Sequence, residues 1–497
     1  MQGKKDYQEK LFIRFQLSDH IPADNLYRLL KDTLDLRFLY QDTAKYYGTE
    51  GQKSIDPVVF MKLMLVGYLE NINSDRRIIS SSRMRMDVLY FLGYDLDEEL
   101  PWHSTLSRTR KLYGQQEFVA IFKQVLKLCI DKGLVSGKRQ AVDSVLVKAN
   151  ASIESVIEKQ ILDDVQVYSE ELESNNEQEP DQDNLPPKPP VKRRAPTNST
   201  HYSPSDPDAR FAVKPRKPYD LYYRSQVSVD TASHCITYIQ AFHADKGDSR
   251  CFPEVLGHVI ANMEEHHIQV EEVLADTGYS STEALQSLQD NHITGYIPNI
   301  SGYRTSREGF TYDHKNDRYT CSQGINLTFR RMRYAGNKVH KIYQTSKKDC
   351  KDCPFKTTCA NPVGIKSLED AASKHLYDQM LERLSNGIDK HMRNLRSGTV
   401  EPVLGTLVNF TAMKKVYTKS IASADKCMIM AATAYNLKKL LKKMLKTNKP
   451  NPSPKGIGRI LYLAGDVFMA IICFFKTNLF EKQKEQITFQ SFALLNN

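Results

Sequence analysis

The stretch Arg139–Ser152, RQAVDSVLVKANAS, contains one residue at odds with its neighbours. Ala141, Val142, Val145, Leu146 and Val147 read as a β-strand, and a half-buried strand favours β-branched and aromatic side chains. Asp143 sits inside that run. A carboxylate there requires a reason, and the segments around it narrow what the reason can be.

Downstream the hydrophobic pattern lapses between about residues 162 and 218. The chain passes through an acidic block (Glu170, Glu171, Glu173, Glu177, Glu179, Asp181, Asp183), then PPKPP, then Lys192, Arg193 and Arg194. Such a composition buries too little apolar surface to order itself, so a disordered insert is expected, placed at 162–205. Strand patterns resume in YYRSQVSVD and CITYIQAF, joined by TASH, a length that suits a hairpin. SRCFPEVLGHVIANMEEH then reads as a helix, VEEVLADTGY as a strand, SSTEALQSLQDN as a helix and GYIPNI as a short last strand. With the Asp143 strand counted first, the order is β-β-β-α-β-α-β. That is the element order of an RNase H-like α/β domain, a mixed sheet flanked by helices on both faces.

The anomaly at Asp143 recurs in the fourth strand. Asp276 follows Val273, Leu274 and Ala275 and leads into TGYSS, a strand end turning into a helix start. If strands one and four pair, the two aspartates are neighbours. A third acid, Glu401, lies in MRNLRSGTVEPVLGTLVNF, between Arg393 and Arg396 on one side and an apolar run on the other. Any one of these acids alone reads as a solvated or capping residue. Jointly they read as a metal site, because hard Mg2+ or Mn2+ prefers oxygen ligands and packed carboxylates repel one another without a cation. Two such ions can activate a water or a 3′-hydroxyl on one side of a phosphodiester and stabilise the leaving oxygen on the other.

The first segment, residues 1–137, reads as all-α. Asp56-Pro57 is a cap and first helical residue leading into VVFMKLMLVGYLENI, apolar on nearly every face and so expected to be buried or in an interface. RRIISSSRMRMDVLYFLG and STLSRTRKLYG follow as helices carrying Arg76, Arg77, Arg83, Arg85, Arg108 and Arg110. A helix-turn-helix element has this form, and so does a small bundle with a solvated basic face. Lys438, Lys439, Lys442, Lys443 and Lys446 repeat at helical spacing after AYNL and suit either phosphate contact or solvent.

At 497 residues the chain has room for several domains. A net charge of +10 biases it toward a polyanionic partner, although Asp and Glu still total 59. Nine scattered cysteines and no apolar leader behind MQGKKDYQEK point to a reducing cytoplasm. Ile460–Phe475, ILYLAGDVFMAIICFF, is short for a membrane span and carries Asp466, so a buried or frayed terminal helix is expected and no membrane partner. Cys350-x2-Cys353-x5-Cys359 with Cys321 upstream suits a tetrahedral zinc site or ordinary reduced thiols. Cys129, Cys235, Cys251, Cys427 and Cys473 are expected in cores.

DPVVFMKLMLVGYLENINSDRRI, PWHSTLSRTR, AVDSVLVKANAS, DPDARFAVK, VLADTGYSS, TVEPVLGTL and MAATAYNLKKLLK together resemble the DDE-type transposases of bacterial insertion sequences, in the group with a helical N-terminal domain and a β-rich insertion before the glutamate. The stretches run in family order from about residue 55 to 446. The resemblance implies Asp143, Asp276 and Glu401 as the catalytic triad and Mg2+ or Mn2+ ligands, in a DNA recombination enzyme that cuts and rejoins the ends of a mobile element. It implies terminal inverted repeats and target duplex DNA as partners, with the repeats read by the N-terminal helices. A prokaryotic, nucleoid-associated location and a homodimer also follow from it. It favours a structural zinc on Cys321, Cys350, Cys353 and Cys359, and it places Asp206–Lys214 near the active site. One departure concerns the Y-x2-R-x3-E-x6-K pattern common in relatives, whose basic and aromatic places hold Asn394, Ser397 and Val408 here. Arg393, Arg396, Lys414 and Lys415 are then the candidates for DNA contact.

The expected plan is a helical DNA-binding and dimerisation domain (1–137), the first part of the catalytic domain (138–300), a cysteine-containing β-rich insertion (301–385), the catalytic and C-terminal helices (386–446) and a tail outside the resemblance (447–497). Two other functions fit the same residues. One is a decayed transposase that only binds DNA, the other a metal-dependent nuclease of the same fold.

Overall fold

The computed structural model describes residues 5, 15–48, 50, 54–159, 195–215, 217–299, 307–335, 338–385 and 387–447. Met1–Leu441 forms one compact unit, and of the second, Lys442–Asn497, only the end of a helix is described. The apolar run at Ile460–Phe475 and the core of the acidic insert, 160–194, lie outside the described residues.

The N-terminal region is helical, as its periodicity requires. In α1 (Pro57–Leu69) the Asp56 carboxylate accepts from the amides of Val58 and Val59 at 2.7 and 3.1 Å, satisfying donors that a helix start leaves unpaired. Nearly every residue of α1 is buried. α2 (Asp75–Arg83) crosses it where α1 offers Gly67, since a Cβ there would come within 2.6 Å of Ile78. α3 (Met86–Leu92), α4 (His103–Leu112) and α5 (Gln116–Asp131) follow, with α4 against α2, and the shorter helices Leu17–His20, Leu26–Thr33 and Leu39–Thr43 precede α1.

A mixed sheet follows. β1 (Arg139–Lys148) is central and runs antiparallel to β2 (Asp220–Asp230), which runs antiparallel to β3 (Ile236–His243). On its other side β1 is parallel to β4 (Glu272–Leu274), and β4 to β5 (Thr294–Tyr296), giving the order β3-β2-β1-β4-β5. α6 (Asp248–Glu264) packs on β2 and β3, and α7 (Thr282–Asp290) packs on α6 and β5. The expected order of strands and helices is present along the chain.

Part of the segment expected to be disordered is ordered. Residues 195–205 hold His201–Tyr202 paired with Ile157–Glu158, and Arg210–Ala212 lies alongside β2 in the main sheet. Polarity misled the reading here, because the polar side chains are used internally. Asn198 brackets Phe211, accepting from its amide at 2.7 Å and donating to its carbonyl at 2.8 Å.

Between β5 and the last helices stands an antiparallel sheet of β6 (Phe310–Asp313), β7 (Arg318–Cys321), β8 (Asn326–Ala335), β9 (Lys338–Gln344) and β10 (Ser367–Ala371), around Tyr319, Leu327 and Tyr343. α8 (Lys374–Arg383) leads to α9 (Ile388–Phe410), which packs on β1, β2 and β4. α10 (Ile421–Thr447) joins sheet to helices. Its Asn436 accepts from the Ile236 amide and donates to the Ile236 carbonyl, both at 2.8 Å, and Lys426 donates to the Tyr113 carbonyl just beyond α4 at 2.6 Å.

Candidate active site

The ladder of β1 and β4 decides where the first two acids meet. Gln140 pairs with Val273 and Ala141 with Leu274 in parallel register. Carried two residues further in step, the same register sets Asp143 opposite Asp276, just beyond the last residue of β4. There Asp276 caps the turn Thr277–Tyr279, its Oδ1 accepting from the Gly278 amide at 2.8 Å.

Glu401 arrives on α9. The link is Arg396, one and a half turns earlier on that helix, which donates to Asp143 Oδ2 at 2.7 Å and lies 3.9 Å from Glu401 Oε1. Asp143 and Arg396 are each 15% exposed, whereas Glu401 is 65% exposed. Burial pushes the Asp143 carboxyl above its ordinary range; Arg396 and the Ser144 amide pull it back, Asp276 adds to the rise, and Lys214 opposes it. The pocket therefore holds acidic side chains whose repulsion is offset by a cation.

Lys214, the last residue of DPDARFAVK, donates to the Ser144 carbonyl and hydroxyl at 3.1 and 3.0 Å, beside Asp143. Beneath the site lies a network that the sequence reading missed. Arg224 on β2 donates to Ser144 Oγ at 3.2 Å and to Asp248 Oδ1 at 2.7 Å, and Gln226 donates to the same oxygen at 2.7 Å. Tyr279 of the Asp276 turn donates to Gln226 at 2.5 Å. The available signal was Asp248 itself, which like Asp276 is an acid placed where the chain passes from a strand to a helix.

The expected cationic residues divide into two groups. Arg76, Arg77, Arg83, Arg108, Arg393 and Lys414 are exposed, with Arg393 paired to Asp389 and Arg83 lying 3.9 Å from Glu99. Lys415 is half-buried on the segment that runs beside Lys148 at the end of β1. Arg110 does not belong to an exposed face. It is 18% exposed and held by Asp75 at 2.5 Å, because the side of α4 that carries it faces α2. Arg85 likewise pairs with Glu70 and Asp87. Lys438 and Lys439 donate to the carbonyls of Leu69 and Ser233 at 2.7 and 3.1 Å, so they bind protein rather than forming an open cationic face.

Cys321, Cys350, Cys353 and Cys359 line one small cavity under the second sheet, with Cys350 Sγ 3.3 Å from Thr345 Oγ1. Cys129, Cys235 and Cys251 are buried, Cys427 is half-buried, and Cys473 lies outside the described residues. Among the described residues no three acidic, histidine or cysteine side chains already form a metal-binding cluster, and no helix is long and apolar enough to cross a membrane.

Residues 15–112 match the family described as transposase domain (DUF772), and residues 320–441 match the family described as transposase DDE domain. Two separate stretches of the chain are thus similar to transposase domains. The DDE-domain match includes Glu401, while Asp143 and Asp276 precede it. Among solved structures the chain is similar to the piggyBac transposase synaptic complex with hairpin DNA, at 10% identity over 88% of this chain and 79% of that one, with a TM-score of 0.31. It is also similar to the Mos1 transposase paired-end complex with left transposon end, at 8% identity over 58% and 76%, with a TM-score of 0.17. No curated protein matches it by sequence.

Proposed function

We propose that the protein is an insertion-sequence transposase whose core is RNase H-like and whose acids Asp143, Asp276 and Glu401 cut and rejoin DNA. The observation that carries the reading is that Asp143 of the central strand and Glu401 of the helix packed across it meet at Arg396, while the parallel register of the neighbouring strand sets Asp276 opposite Asp143. Their fit to a divalent cation rests on the donor set, hard carboxylate oxygens in a pocket that already holds a positive guanidinium between two of them. Mg2+ or Mn2+ bound there supplies Lewis-acid activation of the attacking hydroxyl and charge neutralisation at the leaving oxygen.

The chain's own residues do the rest. Asp143 is held by β1 and desolvated, Asp276 is held by its turn, and Glu401 reaches in from the more exposed side. The Arg224, Gln226, Asp248 and Tyr279 network keeps the turn of Asp276 against the sheet. Exposed arginines of the N-terminal helices hold the element's terminal inverted repeats, and Arg393, Lys414 and Lys415 hold DNA near the acids. In this reading two copies act on paired ends, and a zinc ion on Cys321, Cys350, Cys353 and Cys359 staples the insertion.

The test is cleavage of a plasmid carrying the element's ends by the purified full chain with Mg2+. Asp143→Ala, Asp276→Ala and Glu401→Ala should each lower cleavage by at least about 10²-fold while duplex binding persists. Undiminished cutting by any of them removes that acid from the site, and binding without any cutting by the natural chain points to a protein that only grips DNA.

A further inference from the structure

The second sheet leaves one long strand uncovered. β8 pairs with β7 only from Asn326 to Thr328, whereas on its other side it pairs with β9 as far as Ala335. From Phe329 to Ala335, β8 is therefore the outer strand of a ribbon. Every residue of β8 except Leu327 is exposed.

The register divides the ribbon into two faces. A bulge at Arg330 separates the pairs Phe329–Tyr343 and Arg331–Ile342. Beyond it, Arg331 and Arg333 share one face with His340, while Phe329, Met332 and Tyr334 share the other with Lys341 and Val339. Tyr334 is 75% exposed. Arg333 is paired with Glu369 at 2.6 Å; among the described residues Arg330 and Arg331 have no ion pair.

Charge on an edge strand is a common guard against unwanted strand pairing. That accounts for the arginines. It does not account for Phe329, Met332 and Tyr334, large apolar side chains left exposed on the strand that most needs guarding. A polyanion with stacked rings accounts for both. Guanidinium groups match phosphate geometry, aromatic rings accept bases or sugars, and a two-stranded ribbon has a width the DNA major groove admits.

We propose that the Phe329–Ala335 edge of this ribbon is a further docking surface for duplex DNA, with Arg330, Arg331 and Arg333 on phosphates and Tyr334 against the groove wall. The inference rests on reading the chain as a DNA-cutting protein. It adds a contact on the β-insertion, separate from the acids and from the N-terminal helices.

Fluorescence anisotropy of the full chain with a labelled duplex of about 30 base pairs, titrated across KCl concentrations, tests it. The variant Arg330→Ala/Arg331→Ala/Arg333→Ala should bind at least about 10-fold more weakly near 0.1 M salt, and its log K against log salt should be shallower by about 2 to 3. Should that variant unfold, Arg330→Ala/Arg331→Ala breaks no ion pair and should reduce the slope by about 2. Tyr334→Ser should weaken binding without changing the slope. Unchanged affinity and slope overturn the proposal, as does an effect confined to oligomeric state in light scattering, which would make the edge a contact between copies. The catalytic reading fails separately: if Asp143→Ala still cuts while the ribbon variant binds poorly, the acids are misassigned and the docking surface stands.

Discussion

Arg396 donates to Asp143 at 2.7 Å and stands 3.9 Å from Glu401, so one guanidinium spans two acids that reach it from a strand and from its own helix. Both members of the shorter pair are largely buried, and a buried charge without its partner is costly. Arg396→Ala should therefore lower stability in the absence of divalent ions by on the order of 2 kcal/mol. If the acids take a cation, Mg2+ should raise the melting temperature of Arg396→Ala more than that of the natural chain. Equal responses to Mg2+ in thermal denaturation would argue against cation binding at these acids.

Arg110 and Arg108 lie two residues apart on α4 and should behave oppositely. Arg110 is locked to Asp75 at 2.5 Å inside the helical region, while Arg108 is exposed. Arg110→Ala should cost roughly 3 kcal/mol by stranding Asp75. Arg108→Ala should leave denaturation within about 0.5 kcal/mol and weaken duplex binding. Urea denaturation and anisotropy on the two variants separate the roles, and a loss of binding in Arg110→Ala without loss of stability would reverse the assignment.

These two arginines also mark what was legible in the sequence. The order of strands and helices could be read because apolar periodicity records which elements are half-buried, and Asp143 stood out against it. The faces of the basic helices could not be read, since Arg108 and Arg110 look alike until the neighbouring helix decides which is covered. The same holds for Lys438 and Lys439, whose carbonyl partners on Leu69 and Ser233 are far away in sequence. That Asp143 and Asp276 stand side by side depends on a parallel register between strands more than 120 residues apart, and no local pattern encodes a register of that kind. The ribbon at β8 was concealed by its bulge, because the consecutive Arg330 and Arg331 put the alternation before them out of step with that of Arg331 to Tyr334.

Asp425 on α10 predicts a pH dependence. Its carboxylate accepts from the Ala241 amide at 2.5 Å and from the Gln115 side chain, yet burial dominates and pushes it up to about 7. The folded protein then holds a proton that the unfolded chain, near 3.8, releases. The stability this supplies is complete below the unfolded value and is lost as pH rises through about 7. Denaturation midpoints of the natural chain should fall between about pH 4 and about 7, and Asp425→Asn should flatten that fall. An unaltered profile in the variant would assign the dependence to other groups.

The four cysteines around one cavity carry a separate expectation. Protein purified without chelator should contain about one zinc per chain, and replacing Cys353 or Cys359 by serine should remove it. Because the cavity lies beneath β6, β7 and β8, metal loss should also raise the protease sensitivity of residues 307–371. Absence of zinc, with all four thiols freely reactive in the folded protein, would leave them as ordinary reduced cysteines.

The ends of the acidic insert are tied together, which makes its removal a sharp test. Ile157 and Glu158 pair with Tyr202 and His201, and the Lys159 amide donates to the Thr200 carbonyl at 2.8 Å. A deletion that keeps this ladder, replacing 168–190 by a short Gly-Ser linker, leaves the chain no new distance to span. Loop-closure entropy changes slowly with length, so shortening should alter stability by less than about 1 kcal/mol. Extending the deletion to residue 200 removes Asn198, which brackets Phe211 on the strand beside β2, and should cost more. Thermal denaturation of the two variants, with plasmid cleavage as the second readout, checks both halves. If the shorter deletion is insoluble or as damaging as the longer one, residues 168–190 contribute to the fold and the segment is not a replaceable connection.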